Sequence, residues 1–442
     1  MTETHLTIAV RPPGAASAPV IRPGLEWLFA AAAGAIVLPL YAPQPLVDLI
    51  GPSLGLSPRN ASLVAMTPML GYATGLVLLV PLIDVVENRR AILLTLVADV
   101  VALAGAAAAS SAAMFLLAAF AAGCATSAIQ MIVPVTASLV DETRRGRTIG
   151  NVMSGLMIGI LLSRPIASLA AAAAGWRGAY ALDAVAVAAT AVVLQRMLPQ
   201  RRPSGGVTYA TLIASLLTLL AEQPVLRRRA LYQALCMGAF GIFWTTVALQ
   251  LAASPFGLDR AGIALFALAG IGGAVSAPIA GRAGDHGWTT PATRVAHASV
   301  IAAMLLAGAA GAGRFGFDPS ARPGLSLGVL AVAAIVLDLG VIGDQTLGRR
   351  AINLACPQAS GRLNGLYTGL FFVGGAAGSA SGSIVWVEGG WTLVCVVGAV
   401  FGVMALALAS ILRSPDDDAH SARSGSMILA PSWRASSKES LS

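Results

Sequence analysis

An all-α membrane protein with twelve transmembrane helices in two pseudo-symmetric six-helix halves is predicted by three observations. The first is composition. Of 442 residues, 57% are hydrophobic and only 11% charged, with a mean hydropathy of +0.79. Soluble domains carry roughly 25% charged residues, so this chain has too little polarity to cover itself in water. The second is run length. Apolar stretches of about 20 unalternated residues suit spanning helices, whereas barrel strands alternate over about 10. The third is an internal repeat. Gly146–Arg147 opens a stretch that Gly175–Trp176 closes, and Gly361–Arg362 and Gly390–Trp391 do the same 215 positions later. Gly150, Gly159 and Ser168 match Gly365, Gly374 and Ser383 at that same shift. A repeat on this scale implies two related halves.

Residues 1–24, with Pro12, Pro13, Pro19 and Pro23, read as a flexible cytoplasmic tail. A cleaved signal peptide is not expected, because the first apolar run starts near Leu25 and is long enough to span. The first half, 25–197, holds runs at about 25–47, 60–83, 91–109, 112–140, 148–174 and 177–197. Run 112–140 exceeds one span. A linker, 198–230, carries Arg201–Arg202 and Arg227–Arg228–Arg229. Within it Tyr209, Leu212, Ile213, Leu216, Leu217 and Leu220 recur at helical spacing, the pattern of an amphipathic surface helix. The second half, 231–412, has runs at about 231–252, 262–281, 295–313, 325–347, 363–387 and 391–412. Residues 413–442, Ser-rich with Asp416–Asp417–Asp418, read as a disordered cytoplasmic tail.

The formal net charge of +8 speaks to topology rather than to nucleic acid. With the N-terminus inside, 22 of the 28 basic residues fall on the cytoplasmic side. Five (Arg59, Arg177, Arg260, Arg314, Arg322) fall outside, and Arg164 falls within a span. That bias predicts both termini inside and an even number of crossings of a bacterial plasma membrane. Cys124, Cys236, Cys356 and Cys395 stand singly, without metal spacing, as small residues in apolar runs.

Two six-helix halves joined by a linker resemble the major facilitator superfamily over residues 25–412. Its signature between helices 2 and 3, G-x-L-A-D-R-x-G-R-R, has a counterpart in Val80-Pro81-Leu82-Ile83-Asp84-Val85-Val86-Glu87-Asn88-Arg89-Arg90. Asp84, Arg89 and Arg90 are kept; both glycines and the arginine after the aspartate are not. The second half keeps Gly281 and Asp285 of its own copy. Gly71-Tyr72-Ala73-Thr74-Gly75, Tyr41-Ala42-Pro43-Gln44-Pro45, Leu337-Asp338-Leu339-Gly340 and Phe371-Phe372-Val373-Gly374-Gly375 look like the bacterial drug:proton antiporter-like group. The resemblance implies halves that rock about a central cavity, with Asp84, Arg89, Arg90, Gly281 and Asp285 as a conformational gate. The helix 2–3 loop would lock against the start of helix 11, near Gly361–Asn364, where free N–H groups and the helix dipole suit the Asp84 carboxylate. The arginines are also compatible with plain positive-inside anchoring.

Ionisable side chains deep in spans are functional candidates, since each costs at least about 2.5–3.5 kcal/mol on insertion scales. Arg164 lies 17 residues past Arg147 and 12 before Trp176. At 100° per residue Gly155 and Gly159 fall on the other side of that helix, so they can pack against a neighbour while Arg164 points elsewhere. It stands where antiporters of the resembled group have the Gly of a Gly-Pro motif, Pro165 being kept. Arginine stays charged, so it suits an anionic substrate or a buried carboxylate. Asp338, in the tenth span with Gln345 at i+7, is the candidate for proton coupling. Pairing with Arg164 would instead hold it ionised. Asp99 and Asp183 read as local polar contacts. Tyr41, Gln44, Gln130, Trp244, Gln250 and Asn364 either line a pathway or hold helices together.

No Walker loop is present, the only lysine being Lys438, so ATP-driven transport is excluded on motif grounds. His5, His286, His297 and His420 are scattered, which argues against a metal, and no cofactor or hydrolase motif is present. The expectation is a monomeric secondary transporter, not an enzyme, that exports a small compound or drug against protons and binds no nucleic acid. An importer or facilitator of a metabolite, or a non-transporting sensor or assembly factor on the same fold, are the alternatives.

Overall fold

The computed structural model describes residues 25–200, 202, 208–313 and 319–412. The tails expected at 1–24 and 413–442, part of the linker and Arg314 lie outside the described residues. What is described is helical, without strands. The first half contains α1 (Leu25–Tyr41), α2 (Val47–Ser53), α3 (Leu63–Leu78), α4 (Asn88–Ala107), α5 (Ala112–Thr126), α6 (Ala128–Ser138) and α7 (Glu142–Met197). After α8 (Tyr209–Glu222) come α9 (Pro224–Ala252), α10 (Arg260–Ala267), α11 (Gly272–Asp285), α12 (Thr289–Gly311), α13 (Pro323–Ala355) and α14 (Ser360–Ile411). Among the described residues ten helical segments are long and apolar enough to cross a membrane. Large apolar side chains such as Leu117 (72% exposed) face outward, as expected of a surface solvated by lipid.

Two of the ten segments are double. A straight helix of the 56 residues of α7 would run about 84 Å, against about 30 Å of hydrocarbon. Each long segment is two helices meeting at a kink, and the kinks fall on the repeat. Gly175 has φ 70° and Gly390 φ 59°, backbone that a residue with a Cβ rarely adopts. The tryptophan that follows is buried and pins the new helix. Trp176 packs edge-on to Phe115 of α5 at 5.6 Å, and Trp391 donates its indole N–H to the Ala307 carbonyl of α12 at 2.8 Å. The Gly-Trp spacing is therefore a joint used twice.

Local sequence explains other boundaries. Run 112–140 breaks at Ser127 into α5 and α6. Run 262–281 is divided by a 3₁₀ turn over Leu268–Ile271. Glu87 caps α4 by accepting from the backbone N–H groups of Arg89 (2.9 Å) and Arg90 (3.0 Å). α9 begins at Pro224, a residue suited to a first helical turn. Arg227, Arg228 and Arg229, expected in the linker, therefore belong to its opening turns. The linker helix α8 buries Leu212 and Leu216, and its Tyr209 hydroxyl donates to the Leu78 carbonyl at 2.7 Å.

The chain divides into two compact units, Met1–Leu217 with Leu258–Leu268, and Thr218–Gly257 with Ala269–Ser442. In the first, α1 and the first part of α7 lie side by side through Gly155 and Gly159; a Cβ there would fall on the carbonyls of Ala30 and Gly34. In the second, α9 and α14 meet through Gly374 and Gly378, whose added Cβ atoms would fall on the carbonyls of Ala234 and Gly238. With no hydrophobic drive between helices in lipid, such backbone approach is a principal source of association. Gly155→Val and Gly378→Val should each cost about 3 kcal/mol or more and abolish monodisperse protein in fluorescence-detected size exclusion. Gly150→Ala, which meets nothing within 4 Å, should run like the parent.

Candidate functional site

In the first unit the buried polar centre is Arg164, 2% exposed. Pro43 and Pro45 end α1 and turn the backbone into a 3₁₀ segment, Gln44–Leu46, which drives the Gln44 side chain inward. Arg164 Nε donates to Gln44 Oε1 at 2.7 Å, and the guanidinium lies over the Tyr41 ring, 5.2 Å from its centroid. This corrects the helical-wheel expectation. Arg164 turns to the α1 side, the same neighbour that Gly155 and Gly159 touch, rather than away from it. Its side chain is long enough to swing around the helix to the polar turn that ends α1. Gln130 belongs to a second contact in this unit, donating to the Tyr72 hydroxyl at 3.2 Å.

The first unit also holds an ion pair that sequence reading missed. Arg260, which opens α10, donates to the Pro45 carbonyl at 2.9 Å and forms a bidentate pair with Asp48, one arm at 3.1 Å. Both side chains are partly exposed. Asp48 sits three residues past a proline turn, where no periodicity singles it out.

In the second unit Asp338, 4% exposed, accepts from the Trp244 indole N–H at 3.0 Å. Gln345 is half-buried, and its backbone carbonyl accepts from Tyr367 at 3.4 Å. Gln250 is committed to the Gly311 carbonyl at 2.9 Å and Asn364 to Asn353 at 2.8 Å, so both hold helices together. Of the gate candidates, Asp285 pairs with Arg350 at 3.2 Å and Gly281 has open space around it. Asp84 and Arg90 are exposed, and Arg89 donates to the Gln195 carbonyl.

A buried cluster in this unit was invisible in the sequence. His297 Nε2 lies 3.2 Å from Asp344 Oδ1, with Cys236 within 4.8 Å, all three buried. The histidines are scattered along the chain, yet α9, α12 and α13 bring this one to a carboxylate and a thiol. No spacing rule joins positions 236, 297 and 344.

The sequence profile described as Major Facilitator Superfamily matches residues 28–342. The chain belongs to the major facilitator superfamily. It is 35% identical over 387 residues to the Escherichia coli K12 protein named "Putative uncharacterized transporter YgaY", covering 87% of this chain and 95% of that one. It is 30% identical over 367 residues to the Streptomyces coelicolor protein named "Probable transporter SCO4007", covering 83% and 82%. Among solved structures it resembles the nucleoside transporter NupG, with a TM-score of 0.67, 14% identity and coverage of 88% and 99%. It also resembles the human organic anion transporter MFSD10, with a TM-score of 0.53, 19% identity and coverage of 87% and 97%. The protein is a multi-pass membrane transporter and not an enzyme.

Superfamily membership makes a buried guanidinium informative, because Lys cannot present the same planar donors to an amide and an aromatic face at once. Arg164→Lys should cut transport by about tenfold or more, measured as flux into proteoliposomes, with its size-exclusion profile unchanged.

Proposed function

We propose that this transporter exports a small amphipathic or anionic compound in exchange for protons, by alternating access across twelve spans of a bacterial inner membrane. In this reading it works as a monomer with both termini in the cytoplasm. The observation that carries this reading is the pair of deeply buried ionisable side chains, Arg164 on α7 and Asp338 on α13. A guanidinium that keeps its charge attracts an anionic or electron-rich group, while a carboxyl shielded from water can take and release a proton within a cycle. Tyr41, Gln44 and Gln130 in one unit, and Trp244 and Gln345 in the other, supply polar and aromatic contacts along the pathway, while Gln250 and Asn364 hold the helices that frame it. Resemblance to the drug:proton antiporter-like group supports the export direction.

Asp338 is the proton carrier in this scheme. The indole N–H of Trp244 holds the carboxyl in one orientation without adding charge. Asp84, Arg89, Arg90, Gly281 and Asp285 bias the conformational equilibrium at the cytoplasmic ends of the helices.

Over-expression should raise resistance to a subset of lipophilic or anionic toxicants, and a protonophore should erase the gain. Resistance that persists under the protonophore, or sensitisation by over-expression, would count against proton-driven export. Asp338→Asn should lose pH-gradient-driven flux in proteoliposomes while keeping substrate exchange; loss of both would make Asp338 a structural or binding residue. Asp84→Asn should insert normally yet transport slowly, with parent-like rates removing it from the gate.

A further inference from the structure

At the start of α9 the second unit buries a positive charge that no carboxylate among the described residues meets. Arg229 is 5% exposed. Its Nη1 donates to the Thr293 hydroxyl at 2.8 Å and its guanidinium stands 6.0 Å from the Tyr232 ring centroid. Its Nε has no hydrogen-bond partner among the described residues. No acidic side chain among them comes within salt-bridge distance of Arg229, and the Asp344 carboxylate is engaged with His297. A buried guanidinium without an anion is among the costliest arrangements in a protein, so such a site calls for a counter-charge that the described residues do not supply.

The surroundings say what that anion is. Arg229 lines a shallow, half-open pocket with Arg228, Tyr232, Thr290, Thr293 and the apolar wall of Ala409 and Leu412. Every charged group in the lining is positive. The pocket also borders the first turn of α12, whose N-cap residue, Trp288, provides no side-chain cap, so the positive end of the helix dipole faces this region. Arginine, hydroxyls and a helix N-terminus together are the donor set for a phosphate. Ala409 and Leu412 end the last span, and Trp288 is 65% exposed, as suits a side chain at a bilayer interface.

We propose that this pocket binds the phosphate of an anionic phospholipid of the cytoplasmic leaflet, with Arg229 as the buried counter-charge and the acyl chains lying against Ala409 and Leu412. The site does not depend on the direction or coupling of transport; its leaflet rests on the reading that both termini are cytoplasmic. The test is thermal unfolding of the full-length protein in nanodiscs. The lipid is phosphatidylcholine alone, phosphatidylcholine with phosphatidylglycerol, or phosphatidylcholine with inorganic phosphate in the buffer.

Phosphatidylglycerol should raise Tm saturably. Arg229→Gln should remove that rise and, in phosphatidylcholine alone, be at least as stable as the parent, because the uncompensated charge is gone. An equal Arg229-dependent rise with inorganic phosphate would overturn the lipid assignment in favour of a free phosphate site. An equal response of parent and Arg229→Gln to phosphatidylglycerol would overturn the site altogether. Should Arg229→Gln fail to fold, Thr293→Val decides: it keeps the charge but loses its positioning, and an unchanged lipid response in it would equally overturn the proposal.

Discussion

Backbone contact between parallel helices is the constraint on which each unit depends. In lipid, an apolar side chain gains nothing by leaving its solvent for another helix, so association rests on atoms coming close. Gly155 and Gly159 permit this for α1 and α7, and Gly374 and Gly378 for α9 and α14. The register that results decides which polar groups meet. Once α1 and α7 are locked at Ala30 and Gly34, the polar turn after α1 arrives level with Arg164, and the Gln44 amide and the Tyr41 ring become its partners. A bulkier residue in the stripe would separate the helices and leave the guanidinium without them.

The joints at Gly175 and Gly390 serve the same end by a different means. Positive φ at each lets the chain reverse with almost no loop, and the following tryptophan fixes the returning helix against an older one. Reversal without a loop keeps backbone polar groups paired inside the helix ladders, which the hydrocarbon demands. It also explains why the repeat is strongest at its ends. The joint tolerates only glycine and a large anchoring ring, whereas lipid-facing positions between the ends tolerate any apolar residue.

Much of this was legible in the sequence because the bilayer simplifies the code. Length and apolarity locate the spans, and a charge in such a span stands out, so Arg164 and Asp338 are visible in the sequence alone. Partners were another matter. Helical periodicity assigned Arg164 to the face away from the glycines, but a side chain of that length is not bound to the face of its own Cα. Asp48 and Arg260 lie more than two hundred residues apart, and Cys236, His297 and Asp344 come from three helices. Periodicity gives faces; which helices become neighbours is decided by packing that no single sequence window contains.

The two halves share a scaffold and divide the chemistry. Where the first copy of the repeat carries Arg164, the second carries Ser379, which accepts a hydrogen bond from Thr245 at 3.1 Å. A serine at that level lets α9 and α14 close on each other, and the charge of the second half moves elsewhere: Asp338 beneath the Trp244 indole, His297 beside Asp344, and Arg229 at the helix start. Arg164 is held in part by an amide and an aromatic face. Asp338 is likewise held in part by a neutral indole. Each half therefore buries an ionisable group with neutral side chains among its partners. That arrangement is costly for stability, and it is useful where charge must be felt by something that comes and goes.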